Sequence, residues 1–238
     1  MSHTSKRPGL LPFLLALVLG GCESFPELGQ VLNVPTADDV LSTQTIAAGL
    51  REALEIGSNR AVDALGSPGG FLRSTYHVPL PDTLQQAGDV ARRFGLAGIF
   101  DEMEIKLNRA AEAAAPKAQA LFVSAIRQLT FNDVMTIYQG GDDAATRYLE
   151  RTTAAQLRAD MQPIVEASLA DVGAVTTFKS LADQYNRLPL VAPVDADLTG
   201  HVLRYASRAI FARLAREEAD IRRNPAKRTT QLLRQVFG

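Results

Sequence analysis

Apolar residues recur three and four positions apart from about residue 37 to the end of the chain. No stretch alternates apolar with polar residues for the length of a strand,. That period commits the fold to helices that bury an apolar stripe against one another. Glycine and proline then divide the chain into segments. The pattern predicts an all-α, single globular multi-helix domain of about eight to ten helices over residues 36–238.

The segments read as follows. Thr36 and Asp39 resemble a capping box, with a helix from Ala37 to Leu65 and a weak point at Gly57,. Gly66-Ser67-Pro68-Gly69-Gly70 ends it, and Pro79 and Pro81 keep Phe71–Pro81 irregular,. Asp82 caps the next helix, with Leu84, Ala87, Ala91 and Phe94 on one face. Gly95 and Gly98 break the chain before a stripe of Ile99, Met103, Leu107, Ala110 and Ala114. Pro116 starts a helix with Leu121, Phe122, Ala125 and Leu129 inward. Thr130 to Asp133 repeats the capping pattern, and Gly140-Gly141 stops that short helix. Asp142-Asp143 opens another, with a cap reset at Thr152-Thr153 and a kink at Pro163. A further stripe runs from Val175 to Leu188, followed by a loop over Pro189–Val194. A long, broadly apolar helix over Asp197–Arg223 reads as the central element, and Asn224-Pro225 separates it from a last helix.

Residues 1–21 have the parts of an export signal: Lys6 and Arg7, then a short apolar run from Leu10 to Leu19, then small residues,. The run is too short to span a bilayer. Leu19-Gly20-Gly21-Cys22 resembles the lipobox of bacterial lipoproteins, in which the cysteine carries a diacylglycerol and the signal is removed before it. Cys22 is the sole cysteine, so its acylation leaves no thiol for disulfides, metal binding or catalysis,. Several acyl chains at one residue give firm anchoring. Resemblance to lipoproteins also implies that Glu23, rather than Asp, favours the outer membrane facing the periplasm. Residues 22–35 read as a lipidated tether whose pattern-free part reaches at most about 45 Å when extended.

The precursor has net charge −1, and loss of Lys6 and Arg7 with the signal makes the mature chain −3. Residues 201–238 carry nine Lys or Arg against Glu217, Glu218 and Asp220, a net +6, which leaves −9 for residues 22–200. Arg204, Arg208, Arg222, Arg223, Lys227 and Arg228 are therefore candidate contacts to an anionic lipid surface, an anionic polymer or an acidic envelope protein,. The alternative is a solvated helix whose arginines pair with acids elsewhere. An exported chain has no nucleic acid to meet.

Chemistry-bearing patterns are sparse. His77 and His201 stand without a second histidine or cysteine at ligand spacing,. No P-loop, dinucleotide fingerprint or nucleophile elbow occurs, so no cofactor and no catalytic set are expected,. Glu102, Glu104 and Glu112, with Asp142 and Asp143, are candidate carboxylates for acid–base work or a cation,. The alternative is a charged outer helix face for the three glutamates and helix capping for the two aspartates. Glu102 lies a turn from Lys106, Glu104 a turn from Asn108, and Asp143 a turn from Arg147,.

Three blocks carry a resemblance over nearly all of residues 40–238. They are Asn108-Arg109-Ala110-Ala111-Glu112 through Gly140-Gly141-Asp142-Asp143-Ala144-Ala145-Thr146, then Tyr185-Asn186-Arg187-Leu188-Pro189-Leu190-Val191, then Glu217-Glu218 through Asn224-Pro225-Ala226-Lys227-Arg228-Thr229-Thr230 to Val236-Phe237-Gly238. Together they resemble an uncharacterised family of exported, all-helical proteobacterial proteins, a domain of unknown function. The resemblance implies a fold class and an address, with no catalytic residue to transfer. The expected role is a membrane-anchored binding or interaction module of the cell envelope. The alternatives are a carboxylate-based, cation-dependent envelope enzyme and a carrier of lipid or another apolar ligand.

Overall fold

Ser42 opens the first helix by accepting a hydrogen bond from the Thr45 amide on its hydroxyl (3.1 Å),. The computed structural model describes residues 41–93, 98–170, 176 and 197–238. The Thr36–Asp39 capping pattern, the 175–188 stripe, the 189–194 loop and the Tyr185 block lie outside the described residues. Leu41–Gly238 form one compact unit.

Eight α-helices and one short 3-10 turn make up the described residues, and no strand occurs among them. Helix α1 spans Thr43–Gly66 and α2 spans Asp82–Arg93. Helix α3 spans Gly98–Ala114, α4 Lys117–Arg127 and α5 Phe131–Tyr138. Helix α6 spans Ala144–Ala170 and α7 Leu198–Arg223. A 3-10 turn over Pro225–Lys227 leads to α8, Gln231–Phe237. The all-α reading therefore holds.

The core is set by the predicted stripes. Helix α1 buries Ile46, Leu50, Leu54, Ala61 and Leu65. It runs unbroken through Gly57, which is buried against α7, where a Cβ would be 3.6 Å from Glu217 Cβ, an ordinary contact. Gly49 is tighter: a Cβ there would sit 2.5 Å from a Val236 methyl, so its lack of a side chain lets α8 lie against α1. Ala110, Ala111, Ala114, Ala115 and Ala118 are fully buried where α3 turns into α4. These small side chains let the two helices pack closely against α6 and α1,. Phe122 of α4 meets Phe211 of α7, with ring centroids 5.7 Å apart. Helix α7 packs along both α6 and α1 and buries thirteen residues, as expected of a central element.

One expectation about α6 needs correction. Thr152 and Thr153 do not reset a cap. They lie inside one continuous helix, and each hydroxyl donates back to the Tyr148 or Leu149 carbonyl,. Pro163 lies inside the helix, as its place in the sequence implied, and the buried face carries Met161 before it and Val165 after it. The local reading holds at the start of α5 and fails at the start of α2. Thr130 and Asp133 form a reciprocal capping box on α5,. Asp82 is not a cap but the first residue of α2, where its charge complements the helix dipole,. The carbonyl of Pro81 accepts the Leu84 and Gln85 amides there.

Candidate functional site

The five candidate carboxylates go to different places. Glu112 is buried and acts as a clasp. Its Oε1 accepts the amides of Gly69 (2.9 Å), Phe71 (3.3 Å) and Leu72 (3.5 Å), and its Oε2 meets Arg109 at 2.6 Å. The irregular turn after α1 is thereby held on α3. Gly69 adopts φ +88°, which favours glycine,. A Cβ on Gly70 would collide with the backbone carbonyls of Ala64 and Leu65. Asn108, one turn earlier, exchanges hydrogen bonds with both backbone groups of Val78 (2.9 and 2.8 Å). The Asn108–Glu112 block is thus the seat of the 67–80 segment.

Glu104 faces His77, with Nε2 and Oε1 2.7 Å apart, and Glu102 is exposed. Asp143 pairs with Arg147 at 2.7 Å, as the one-turn spacing predicts, and Asp142 pairs with Arg223. Among the described residues no group of three or more His, Cys, Asp or Glu side chains is placed to hold a metal ion.

The Gly140–Thr146 block is a helix junction built from outside. The aspartates were expected to cap α6. The amides of Ala145 and Thr146 instead donate to the two carboxylate oxygens of Glu218 on α7 (3.0 and 2.8 Å), and the Thr146 hydroxyl adds a third bond of 2.9 Å. A carboxylate suits the positive end of a helix. Arg222, one turn beyond Glu218, donates to it at 3.1 Å and to the Ile137 carbonyl at 2.8 Å. One Glu–Arg pair on α7 therefore closes both the end of α5 and the start of α6. Gly140 is required there, since a Cβ would come within 2.6 Å of Ala144 Cβ.

The basic candidates divide in the same way. Arg222 is committed to that junction. Arg228 donates to the carbonyls of Ile221 (3.1 Å) and Arg222 (2.8 Å), closing the C-terminal end of α7,. Arg223 has Asp142, and Lys227 lies 3.9 Å from Asp220. Arg204 and Arg208 are exposed and form no ion pair among the described residues. Arg216, not singled out from the sequence, shares both properties. Its signal was its place on the face of α7 left over once the apolar positions are assigned. Glu217 and Glu218 do not interrupt this basic face, because both are buried. Glu217 pairs with Arg213 at 2.6 Å, and Arg60 Nη1, Arg213 Nε and Glu217 Oε2 are buried without a hydrogen-bond partner.

Two open grooves border these junctions. One, of about 290 Å³, is bounded by Asp133, Gly140, Arg147, Tyr148 and Arg151 among others. The Arg151 guanidinium stands 5.5 Å from the Tyr148 ring centroid,. Burial pushes the Tyr148 phenol upward, so it remains a hydrogen-bond donor,. Thr130, by hydrogen-bonding the Asp133 carboxylate, holds that group below its usual range. The second groove, about 170 Å³, is bounded by Pro79, Gln85, Asp89 and Glu104 among others. The apolar pocket among Leu50, Leu54, Leu214 and Phe237 offers about 10 Å³, near the room one water needs and far below an acyl chain,. No described helix is long and apolar enough to cross a membrane.

A family model described as a protein of unknown function (DUF4197) matches residues 40–238. No curated protein and no solved structure gives a significant match. The matched span takes in the Asn108–Glu112 clasp, the Gly140–Thr146 junction and all of α7. The chain belongs to the DUF4197 family, whose function is uncharacterised.

Proposed function

We propose that the protein is a membrane-anchored lipoprotein whose helical domain serves as an interaction module on the periplasmic face of the outer membrane. The carrying observation is Leu19-Gly20-Gly21-Cys22, placed behind a basic start and a short apolar run, with Cys22 the sole cysteine. The disposition of polar groups is in keeping with this reading. Of the five candidate carboxylates, Glu112 holds the turn after α1, Glu104, Asp142 and Asp143 each face one basic partner, and Glu102 stands exposed. Arg204, Arg208 and Arg216 on α7 are exposed and form no ion pair among the described residues, so a partner can reach them.

The test is the chemistry of the mature N-terminus. Mass spectrometry of protein from a native envelope should find residue 22 as the first residue, carrying diacylglycerol. Wild type should then fractionate with the outer membrane and leave it only with detergent. Cys22→Ser should be released without detergent while keeping its helical circular dichroism. An unmodified Cys22, or a first residue other than 22, would overturn the reading.

A further inference from the structure

An anchor at Cys22 leaves undetermined which side of the domain meets the membrane, and the arginines of α7 bear on this directly. Arg204, Arg208 and Arg216 are exposed and form no ion pair among the described residues. They span twelve positions, about 18 Å along the helix, within an arc of about 120°. No acid of α7 interrupts that arc. Glu217 and Glu218 are buried, Asp220 lies toward Lys227, and Asp197 accepts the Gly200 amide at the helix start.

We propose that the Arg204–Arg208–Arg216 arc of α7 docks on anionic phospholipid headgroups, laying this helix along the membrane surface. The proposal rests on the anchored reading above, which supplies the surface. Three observations favour lipid over a single small ligand or an acidic protein. The charges sit on an outward helix face and are spread along it, which fits several phosphates on a plane. Guanidinium forks match phosphate oxygens in pairs. The rest of the mature chain is acidic, −9 over residues 22–200 against +6 over 201–238. The positive charge is thus concentrated in the segment that carries the arc, the part of the chain an anionic surface attracts most,. At most about 70 Å of extended chain separates Cys22 from Leu41, which keeps the arc at high effective concentration beside the lipid, so weak contacts suffice,.

The strength follows from the charge count. Each arginine near an anionic surface contributes about 1 kcal/mol, or about fivefold in binding, so three give about 100-fold. The experiment uses the mature chain with Cys22→Ser and phosphatidylcholine vesicles with or without phosphatidylglycerol, read by co-sedimentation. Binding should require phosphatidylglycerol and weaken as salt is raised. Arg204→Glu with Arg208→Glu and Arg216→Glu should reduce it about 100-fold or more while leaving the melting curve in place. Lys117→Glu with Arg127→Glu and Arg158→Glu, an equal charge change at exposed positions at the two ends of α4 and on α6, should reduce it far less. Binding indifferent to phosphatidylglycerol, or equal losses in the two triple variants, would overturn the proposal. So would retention of an acidic protein by the wild-type arc in place of lipid. Because Cys22→Ser removes the acylation site, a failure here leaves the anchor reading standing. An unacylated Cys22 in cells would likewise leave this lipid binding measurable.

Discussion

Helix α7 has an inner and an outer set of charges, and the contrast between them organises the molecule. On the inner side Glu218 and Arg222 join α7 to α5 and α6 through backbone groups. On the outer side Arg204, Arg208 and Arg216 touch no acid among the described residues. Both sets lie in one sequence run that reads simply as basic. A charge that satisfies buried amides or carbonyls is fixed by the fold, because losing it leaves those groups desolvated and unpaired. A charge with no partner costs the fold little to change, which leaves it available for an external contact.

The largest effect should come from Glu218→Gln. The new amide NH2 would face a backbone N–H or Arg222, leaving a buried charge uncompensated. Breaking such a pair costs about 3–5 kcal/mol, or about 10 °C in Tm for a domain of this size. Thermal denaturation by circular dichroism measures it. Glu112→Gln should follow at about 2 kcal/mol, because one oxygen still accepts the Gly69 and Phe71 amides while the Arg109 pair is lost,. Limited proteolysis should then cut first within residues 67–80.

Arg60→Met sharpens the comparison from another direction. Its Nη1 is buried without a partner, so a similar apolar side chain should be neutral or stabilising by up to about 1 kcal/mol,. A clear loss of stability would reveal a role for this guanidinium like that of Arg222. Arg147→Ala breaks an exposed pair with Asp143 and should cost under about 1 kcal/mol,. The smallest effect belongs to the α5 capping box. Thr130 lowers the Asp133 pKa from 3.8, so this carboxylate stabilises the folded state above that value and the contribution fades as pH falls through the lowered pKa,. Asp133→Asn should therefore make stability slightly less sensitive to acid below about pH 4, as read by an acid titration of the melting midpoint.

The apolar spacing made the helices legible, and local capping made several of their ends legible. Thr130–Asp133, Asn224-Pro225 and the Gly66–Gly70 stop all fall where short-range rules put them. The failures share one cause. Thr152-Thr153 looks like a cap because threonine favours such positions, yet tertiary packing carries α6 straight through it. Asp142-Asp143 looks like a cap because the acids adjoin the helix start, yet the capping carboxylate comes from Glu218, 72 residues beyond Thr146. Glu112 looks like an outer charge by composition and is buried, because the three amides it receives belong to a turn 40 to 43 positions earlier. Long-range satisfaction of backbone groups leaves no mark in the neighbouring residues. The arginine arc is half legible: the charge excess is plain, but which arginines lack an ion pair among the described residues emerges only from the partners of the others.

The most direct test of this division of α7 compares the melting temperatures of two variants with wild type under identical conditions. Glu218→Gln alters one atom type and removes one charge. Arg204→Glu with Arg208→Glu and Arg216→Glu reverses three. The division predicts a drop of about 10 °C for the single variant and a change within about 2 °C for the triple variant. A triple variant that melts as low as Glu218→Gln, or a Glu218→Gln that melts with wild type, would contradict it.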